Sequence, residues 1–531
     1  MVRTPYGDVP DRLVPDMSMA EMHDYLRRPV SRRGILTAAA AGAASPLLIS
    51  RVGHADALGP VGSRRLSYGA DPTTQMVVSF TVPGPFGSAL IEYGFTAPLG
   101  STVPAQDQAA AGSTSRYGTA LISGLRPNTQ YAYRVRVDNQ VSRLGLFRTA
   151  PAAEGPFTFT AFADQGITAM AARSVAQIRA VKPAFHLVAG DLCYADSTGL
   201  GVAPDPIHPS VWDSWLQLIE PLAAETPWMV AAGNHEMEPG AGENGYGGML
   251  ARLAVPDNGA DKCPTTYSFR YSNVGFIALD SNDASYEIPA NFGYSGLTQR
   301  AWLERTLADM RSPDSGVDFI VAYFHHCPYA TNGAHGSEGG VREKWVALFD
   351  KYEVDLSISG HNHCYERTRA IRSGVATNEA TDVVNSKNGT TYLTVGGGGR
   401  EINKTFLAGA TKTRVSYSPR RNRVENADWS VIRSATHSFL VVDVKPARTG
   451  TESTMSLRIV STMNGSVLDH FILQRTSTHA VSDPTPIIPN AGAGGTDATA
   501  PLAIGGLALA AAAAAGTVGY RARRHHHGSG W

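Results

Sequence analysis

Apolar and polar positions change rhythm twice along this chain. Between residues 58 and 150 apolar side chains alternate with polar ones, as at Met76, Val78 and Phe80, and again at Tyr131, Tyr133, Val135 and Val137. Pro and Gly divide these runs and no helical period intervenes, which predicts about seven short strands forming a β-sandwich. From residue 151 to 476 the runs become short and continuous, as expected of strands covered on both faces. Helix-like segments at 169–181 and 297–310 lie between them. Strand and helix in alternation predict an α/β domain with crossover connections in a mixed sheet. Past residue 476 periodicity disappears. Residues 477–500 are rich in Pro, Gly, Ala, Ser and Thr and read as a linker. Pro501 to Tyr520 is an uncharged run of 20 residues followed by Arg521, Arg523 and Arg524. Such a run is long enough to span hydrocarbon as a transmembrane helix, and the basic flank predicts a cytoplasmic tail over 521–531.

Residues 1–57 read as a targeting segment rather than as part of the fold. Ser31-Arg32-Arg33-Gly34-Ile35-Leu36 opens a modestly apolar stretch to Ile49, and Ala55-Asp56-Ala57 supplies a small-residue cleavage site. The paired arginines resemble a twin-arginine export signal, a route that carries folded, metal-loaded protein. Leu125-Arg126-Pro127-Asn128-Thr129-Gln130-Tyr131 resembles the turn and tyrosine corner of fibronectin type III domains. Composition adds exclusions more than assignments. The 531 residues exceed one ordinary core, and Lys+Arg and Asp+Glu balance at 46 each, so nothing points to nucleic acid or another polyanionic partner. Four cysteines (Cys193, Cys263, Cys327 and Cys364) are too few for a disulfide scaffold and imply packed thiols or one disulfide.

Candidate metal-ligating residues terminate the apolar runs. The run 157–163 ends in Asp164-Gln165-Gly166, and 184–189 ends in Gly190-Asp191-Leu192-Cys193-Tyr194. Residues 227–232 lead into Gly233-Asn234-His235-Glu236, and 319–324 into His325-His326-Cys327-Pro328. The run 354–358 leads into Ser359-Gly360-His361-Asn362-His363, where Gly360 is expected to permit the turn. Each motif alone is a common turn or cap, but five strand ends all offering metal-binding groups are not a coincidence of composition. Carboxylate and amide oxygens suit hard cations, and imidazole suits zinc and iron. Two ions about 3.5–4 Å apart need a bridging ligand, and a carboxylate has the two oxygens for it. The glycine run 396–399 lacks the Lys and Ser/Thr of a nucleotide-binding loop and reads as a strand end that lets backbone pass close to the metals.

The ordered set Asp-x-Gly, Gly-Asp-x-x-Tyr, Gly-Asn-His-Glu, His and Gly-His-x-His resembles the calcineurin-like metallophosphoesterases and, more narrowly, the purple acid phosphatases. Tyr194 is the discriminating residue, since phenolate is a ligand of ferric iron. The resemblance implies a four-layer α/β/β/α domain preceded by the sandwich. It implies a ferric site of Asp164, Asp191, Tyr194 and His363, and a divalent site (Zn2+, Fe2+ or Mn2+) of Asp191, Asn234, His325 and His361, with Asp191 bridging. The family's spacing selects His325 over His326, because His335, ten residues on, then falls at the place of a substrate-contacting histidine. His235 is implied to bind phosphate or protonate the leaving group, and hydroxide formed at the metals to attack phosphorus in line. The implied function is an exported acid phosphatase acting on small phosphate monoesters, held at the membrane by the C-terminal run. Two alternatives stand beside it: a phosphodiesterase of the same superfamily, and a surface binding protein with a structural metal site.

Overall fold

The computed structural model describes residues 2–4, 7–9 and 61–478, except 96–97, 378–380, 407–408, 410 and 419–420. The expected export segment falls almost wholly outside these residues, and the chain from residue 479, with its apolar run and basic tail, wholly so. Among the described residues no helix is long and apolar enough to cross a membrane.

Residues 62–148 form two antiparallel sheets of four and five strands. Nine strands are present where about seven are expected, and three of them (Ser101–Pro104, Gln106–Ala109 and Gln140–Val141) are short, largely exposed and carry no apolar alternation. The long strands do alternate inward, and Phe80, Ile91, Tyr133 and Val135 are fully buried between the sheets. The Tyr131 hydroxyl accepts the Arg126 backbone N–H at 2.9 Å, which pins the turn before its strand. This domain is joined to the next by polar contacts rather than by apolar packing alone. Arg65, 3% exposed, donates from Nε to the Arg252 carbonyl at 2.6 Å, and the Tyr133 hydroxyl donates to the Ala224 carbonyl at 2.7 Å.

The next domain contains β1 (Phe157–Phe162), β2 (Phe185–Ala189), β3 (Trp228–Ala231), β4 (Val274–Ala278), β5 (Phe319–Tyr323), β6 (Leu356–Ser359), β7 (Thr391–Val395) and β8 (Ser438–Lys445). They belong to two seven-stranded mixed sheets. In the first, β3, β2 and β1 run parallel and β8 pairs antiparallel to β1; in the second, β4, β5, β6 and β7 are all parallel. Alternate strand residues face two different cores. Phe159, Phe185, Phe276 and Leu356 meet between the sheets. Phe162, Val188 and Val230 face α1 (Ala169–Val181) and α2 (Pro209–Ala223) on one outer side, and Ile277 and Ile320 face α3 (Thr298–Met310) on the other. The result is the α/β/β/α layering. Helix α1 starts where the Thr168 hydroxyl accepts the Ala171 N–H, and it buries Ala171, Val175 and Ile178 at helical spacing.

Parallel register decides where the functional residues end up. Because Phe162 pairs with Val188 and Ala189 with Ala231, the carboxyl ends of β1, β2 and β3 lie side by side, and those of β5, β6 and β7 do likewise. The two edges then meet. The Ala163 N–H donates to the Val395 carbonyl at 3.0 Å, and His325 Nδ1 lies 2.9 Å from the Ala189 carbonyl. Placement of ligands at carboxyl ends of strands is what α/β sheets favour.

Candidate metal centre

Residues of the expected ligand set occupy backbone conformations that L residues seldom adopt. Asp164, Asp191, Tyr194 and His361 have φ of 59°, 51°, 59° and 65°. Such strain costs on the order of 1 kcal/mol or more at each position and persists where surrounding structure holds it. It turns the side chains off their strand ends toward one another. Gly360 serves differently from the expectation, since the left-handed turn is at His361. A Cβ on Gly360 would lie 2.4 Å from Ala163 Cβ and 2.6 Å from Asp164 Oδ2, so this glycine is required for close approach of the two sheets. Gly396 is constrained in the same way, its Cβ falling 2.7 Å from Asp164 Oδ2.

Two groups of side chains converge. In the first, the Tyr194 hydroxyl lies 3.1 Å from Asp164 Oδ1 and 3.1 Å from His363 Nε2, which is itself 3.4 Å from Asp164 Oδ1. His363 Nδ1 is committed to the Glu401 carbonyl at 2.8 Å, leaving Nε2 directed at the cluster. In the second, Asp191 Oδ2 lies 3.2 Å from His325 Nε2, which is 3.2 Å from His361 Nδ1. Asp191, His325 and His361 offer three ligand atoms within 4.8 Å of one another, all buried. Burial alone would raise the Asp191 pKa, but the imidazoles of His325 and His235 hold it well below the usual carboxylate range.

Unpartnered polar atoms mark what the residues are shaped to receive. Asp164 Oδ2 and Asn234 Oδ1 are buried without a hydrogen-bond partner. The Asn234 amide nitrogen donates to the Gly199 carbonyl at 3.0 Å, which fixes the amide oxygen as the free end. A buried acceptor left unmade costs about 1–3 kcal/mol, and cations satisfy it. The donor set of carboxylates, amide, phenol and imidazoles therefore fits two hard or borderline metal ions.

The flanking histidines differ in their support. His235 donates its backbone N–H to Asp191 Oδ1 at 3.0 Å, and its Nδ1 sits 2.6 Å from Asp196 Oδ1, so Nε2 faces inward, 3.9 Å from Asp191 Oδ2. Burial lowers the His235 pKa, but Asp196 and Asp191 outweigh it and raise it to about 9. His335 is partly exposed; its ring stacks on His361 with centroids 3.8 Å apart, and its Nδ1 is 3.0 Å from Glu287 Oε1.

Four further residues of the site carry no assignment from sequence. Asp196 orients His235. Glu236 accepts the backbone N–H groups of Asp191, Leu192 and Gly233 at 2.7–2.9 Å and so ties two strand ends together. Glu287, with Oε2 3.4 Å from His361 Nε2, forms a second three-residue group with His335 and His361. His326, set aside in favour of His325, is buried beside the same cluster: Nδ1 lies 2.8 Å from the Ser281 hydroxyl, its ring is 4.5 Å from that of His361, and its Nε2 has no hydrogen-bond partner. Adjacent polar character is a signal for Glu236 and His326, whereas Glu287 lies in a polar loop with none. All four cysteines are buried and unbridged.

The profile described as calcineurin-like phosphoesterase matches residues 165–365, and that described as purple acid phosphatase, N-terminal domain, matches residues 62–149. The chain is similar to the uncharacterized protein Rv2577 of Mycobacterium tuberculosis, 32% identical over 501 residues, covering 82% of this chain and 93% of that one. It is also similar to purple acid phosphatase 21 of Arabidopsis thaliana, 32% identical over 283 residues, covering 52% and 57%. Among solved structures, purple acid phosphatase PPD1 from yellow lupin (Lupinus luteus) seeds superposes with a TM-score of 0.63 at 22% identity, over 79% of this chain and 75% of that one.

Proposed function

Because the chain belongs to the purple acid phosphatase family of calcineurin-like phosphoesterases, and is a metal-dependent phosphatase, we propose that it is an exported acid phosphatase whose centre pairs ferric iron with a divalent ion. The observation carrying the iron half of this reading is the Tyr194 hydroxyl, 3.1 Å from both Asp164 Oδ1 and His363 Nε2. Asp164, Asp191, Tyr194 and His363 would hold the iron, and Asp191, Asn234, His325 and His361 the divalent ion. When bound, such a pair polarises a phosphoryl oxygen and acidifies water. The chain's own residues do the rest. His235 holds a proton at Nε2, opposite the Nδ1 fixed by Asp196, where it can pass to the leaving oxygen. Glu287 orients His335 and His361, and His335 lines the mouth of the site. Phosphate monoesters are the proposed substrates, and comparison of monoester with diester turnover on one preparation separates this reading from a phosphodiesterase.

Purified protein is expected to show a visible tyrosinate-to-iron absorption band that Tyr194→Phe abolishes. A colourless protein fully active with zinc or manganese alone would refute the iron assignment.

The proposed organisation places the export segment at 1–57, the sandwich at 58–150, the catalytic domain at 151–476, a linker to 500 and an anchoring run at 501–520. The export reading is supported by Arg32 and Arg33 before a weakly apolar stretch. Replacing both by Lys is expected to leave the protein in the cytoplasmic fraction; undiminished export would assign the segment to another route.

A further inference from the structure

Arg400 is a cation beside the site that lacks a carboxylate partner among the described residues. It comes directly after the glycine run, and its backbone N–H donates to the Asp164 carbonyl at 2.9 Å. The run is held against the centre by backbone: the Gly398 N–H also donates to the Ala163 carbonyl at 3.0 Å, and the approach is so close that a Cβ on Gly398 would lie 2.4 Å from that carbonyl oxygen and one on Gly399 2.4 Å from that of Gln165. Arg400 therefore projects from backbone tied to the residue range that carries Asp164. Its guanidinium carbon lies 5.1 Å from the centroid of the Tyr194 ring, and the side chain is only partly buried. The ring of His235 packs on the same tyrosine with centroids 4.3 Å apart.

The other arginines nearby are occupied. Arg414 donates to the Ala334 and His335 carbonyls and lies 3.7 Å from Glu287, while Arg433 is held by Ser430 and lies 3.9 Å from Glu366. Among the described residues, no carboxylate within ion-pair distance neutralises Arg400; its partner is an aromatic face, which leaves the planar fork of donors unused. The charge around the site is thus polarised. Glu287 stands on the His361 side, and a free guanidinium on the Tyr194 side, next to the histidine expected to face the leaving group.

Building on the phosphatase reading above, we propose that Arg400 is a specificity-determining residue that reads a second anionic group, phosphate or carboxylate, on the leaving side of the substrate. A guanidinium matches the two oxygens of either group, and its fixed position on the iron side sets the direction in which the leaving group projects. Substrates with such a group are favoured through binding, and esters with an uncharged leaving group gain nothing from it. Arg400 takes no part in proton transfer.

The test is the ratio of kcat/KM for inorganic pyrophosphate, and separately for 2-phosphoglycolate, to kcat/KM for phenyl phosphate in the full-length metal-loaded enzyme. In Arg400→Gln each ratio is expected to fall by about tenfold or more through KM, with Arg400→Lys in between. A fall for pyrophosphate alone supports the proposal for phosphate and confines the second group to it. A change in rate that is equal for all three substrates, leaving the ratios unaltered, overturns the proposal and makes Arg400 a structural residue of the loop. Wild-type enzyme inactive on all three would instead overturn the phosphatase reading, and this one with it. Should Arg400→Gln fail to fold, unaltered ratios in Arg400→Lys, which loses the fork and keeps the charge, overturn it equally.

Discussion

Asp191→Asn is expected to lower kcat/KM by at least about 10³-fold, with loss of bound metal, while leaving the fold intact. The side chain is 2% exposed and stands where both half-sites meet. Its Oδ2 lies 3.2 Å from His325 Nε2, its Oδ1 accepts the His235 N–H at 3.0 Å, and its carbonyl accepts the Gln165 N–H at 3.1 Å beside Asp164. Asparagine keeps the volume and one acceptor oxygen but removes the charge and the second oxygen that bridging requires. The substitution therefore separates ligation from packing. Metal content by elemental analysis and secondary structure by circular dichroism are to be read on the same sample. Native-like metal content with activity within tenfold of wild type would show that Asp191 bridges nothing, and would favour a structural role for the centre.

The parts of this molecule that can be read from its sequence are those where short-range pattern and physical requirement coincide. The strands of the catalytic domain are legible because β2 and β5 are buried on both faces, so that β5 is an unbroken apolar run and β2 is interrupted only by His186. Helix α1 is legible because a threonine cap precedes Ala171, Val175 and Ile178 at helical spacing. Parallel register then carries residues at strand ends into one place without further information. The illegible parts depend on contacts between distant segments. Glu287 meets His335 and His361 across 48 and 74 positions, through a loop with no periodicity to mark it. In sequence Asp196 looks like any acid after a tyrosine; only the fold lays His235 over it. Sequence misleads at Gly360 because it favours the conformational reading of a glycine, whereas here a second sheet occupies the space of its Cβ. The choice between His325 and His326 shows the same boundary. Both rings lie within about 5 Å of His361 and each fixes its Nδ1, but His325 turns Nε2 onto Asp191 and His361 while the Nε2 of His326 has no hydrogen-bond partner, a difference that adjacency in sequence does not reveal.

His235→Ala is expected to lower kcat on an alkyl phosphate by about 10²–10³-fold, and by much less on 4-nitrophenyl phosphate. An alkoxide must be protonated as it departs, whereas nitrophenolate is a stable anion, so the difference isolates proton donation from phosphate binding. The pH dependence originates in Asp196. With its Nδ1 2.6 Å from that carboxylate, His235 keeps its proton to about pH 9, against an ordinary value of 6.5. Because the pKa is raised, the acid form is present below about pH 9 and is lost as pH rises through it; the alkyl phosphate rate should fall on that limb. Asp196→Asn removes the larger of the two carboxylate influences that raise the pKa, Asp191 being the other, so the limb should move to lower pH by about one unit or more. The same substitution should leave the acid side of the profile where it was. A basic limb that stays in place in Asp196→Asn, or equal losses on the two esters in His235→Ala, would assign the proton to another group and leave His235 as a phosphate ligand.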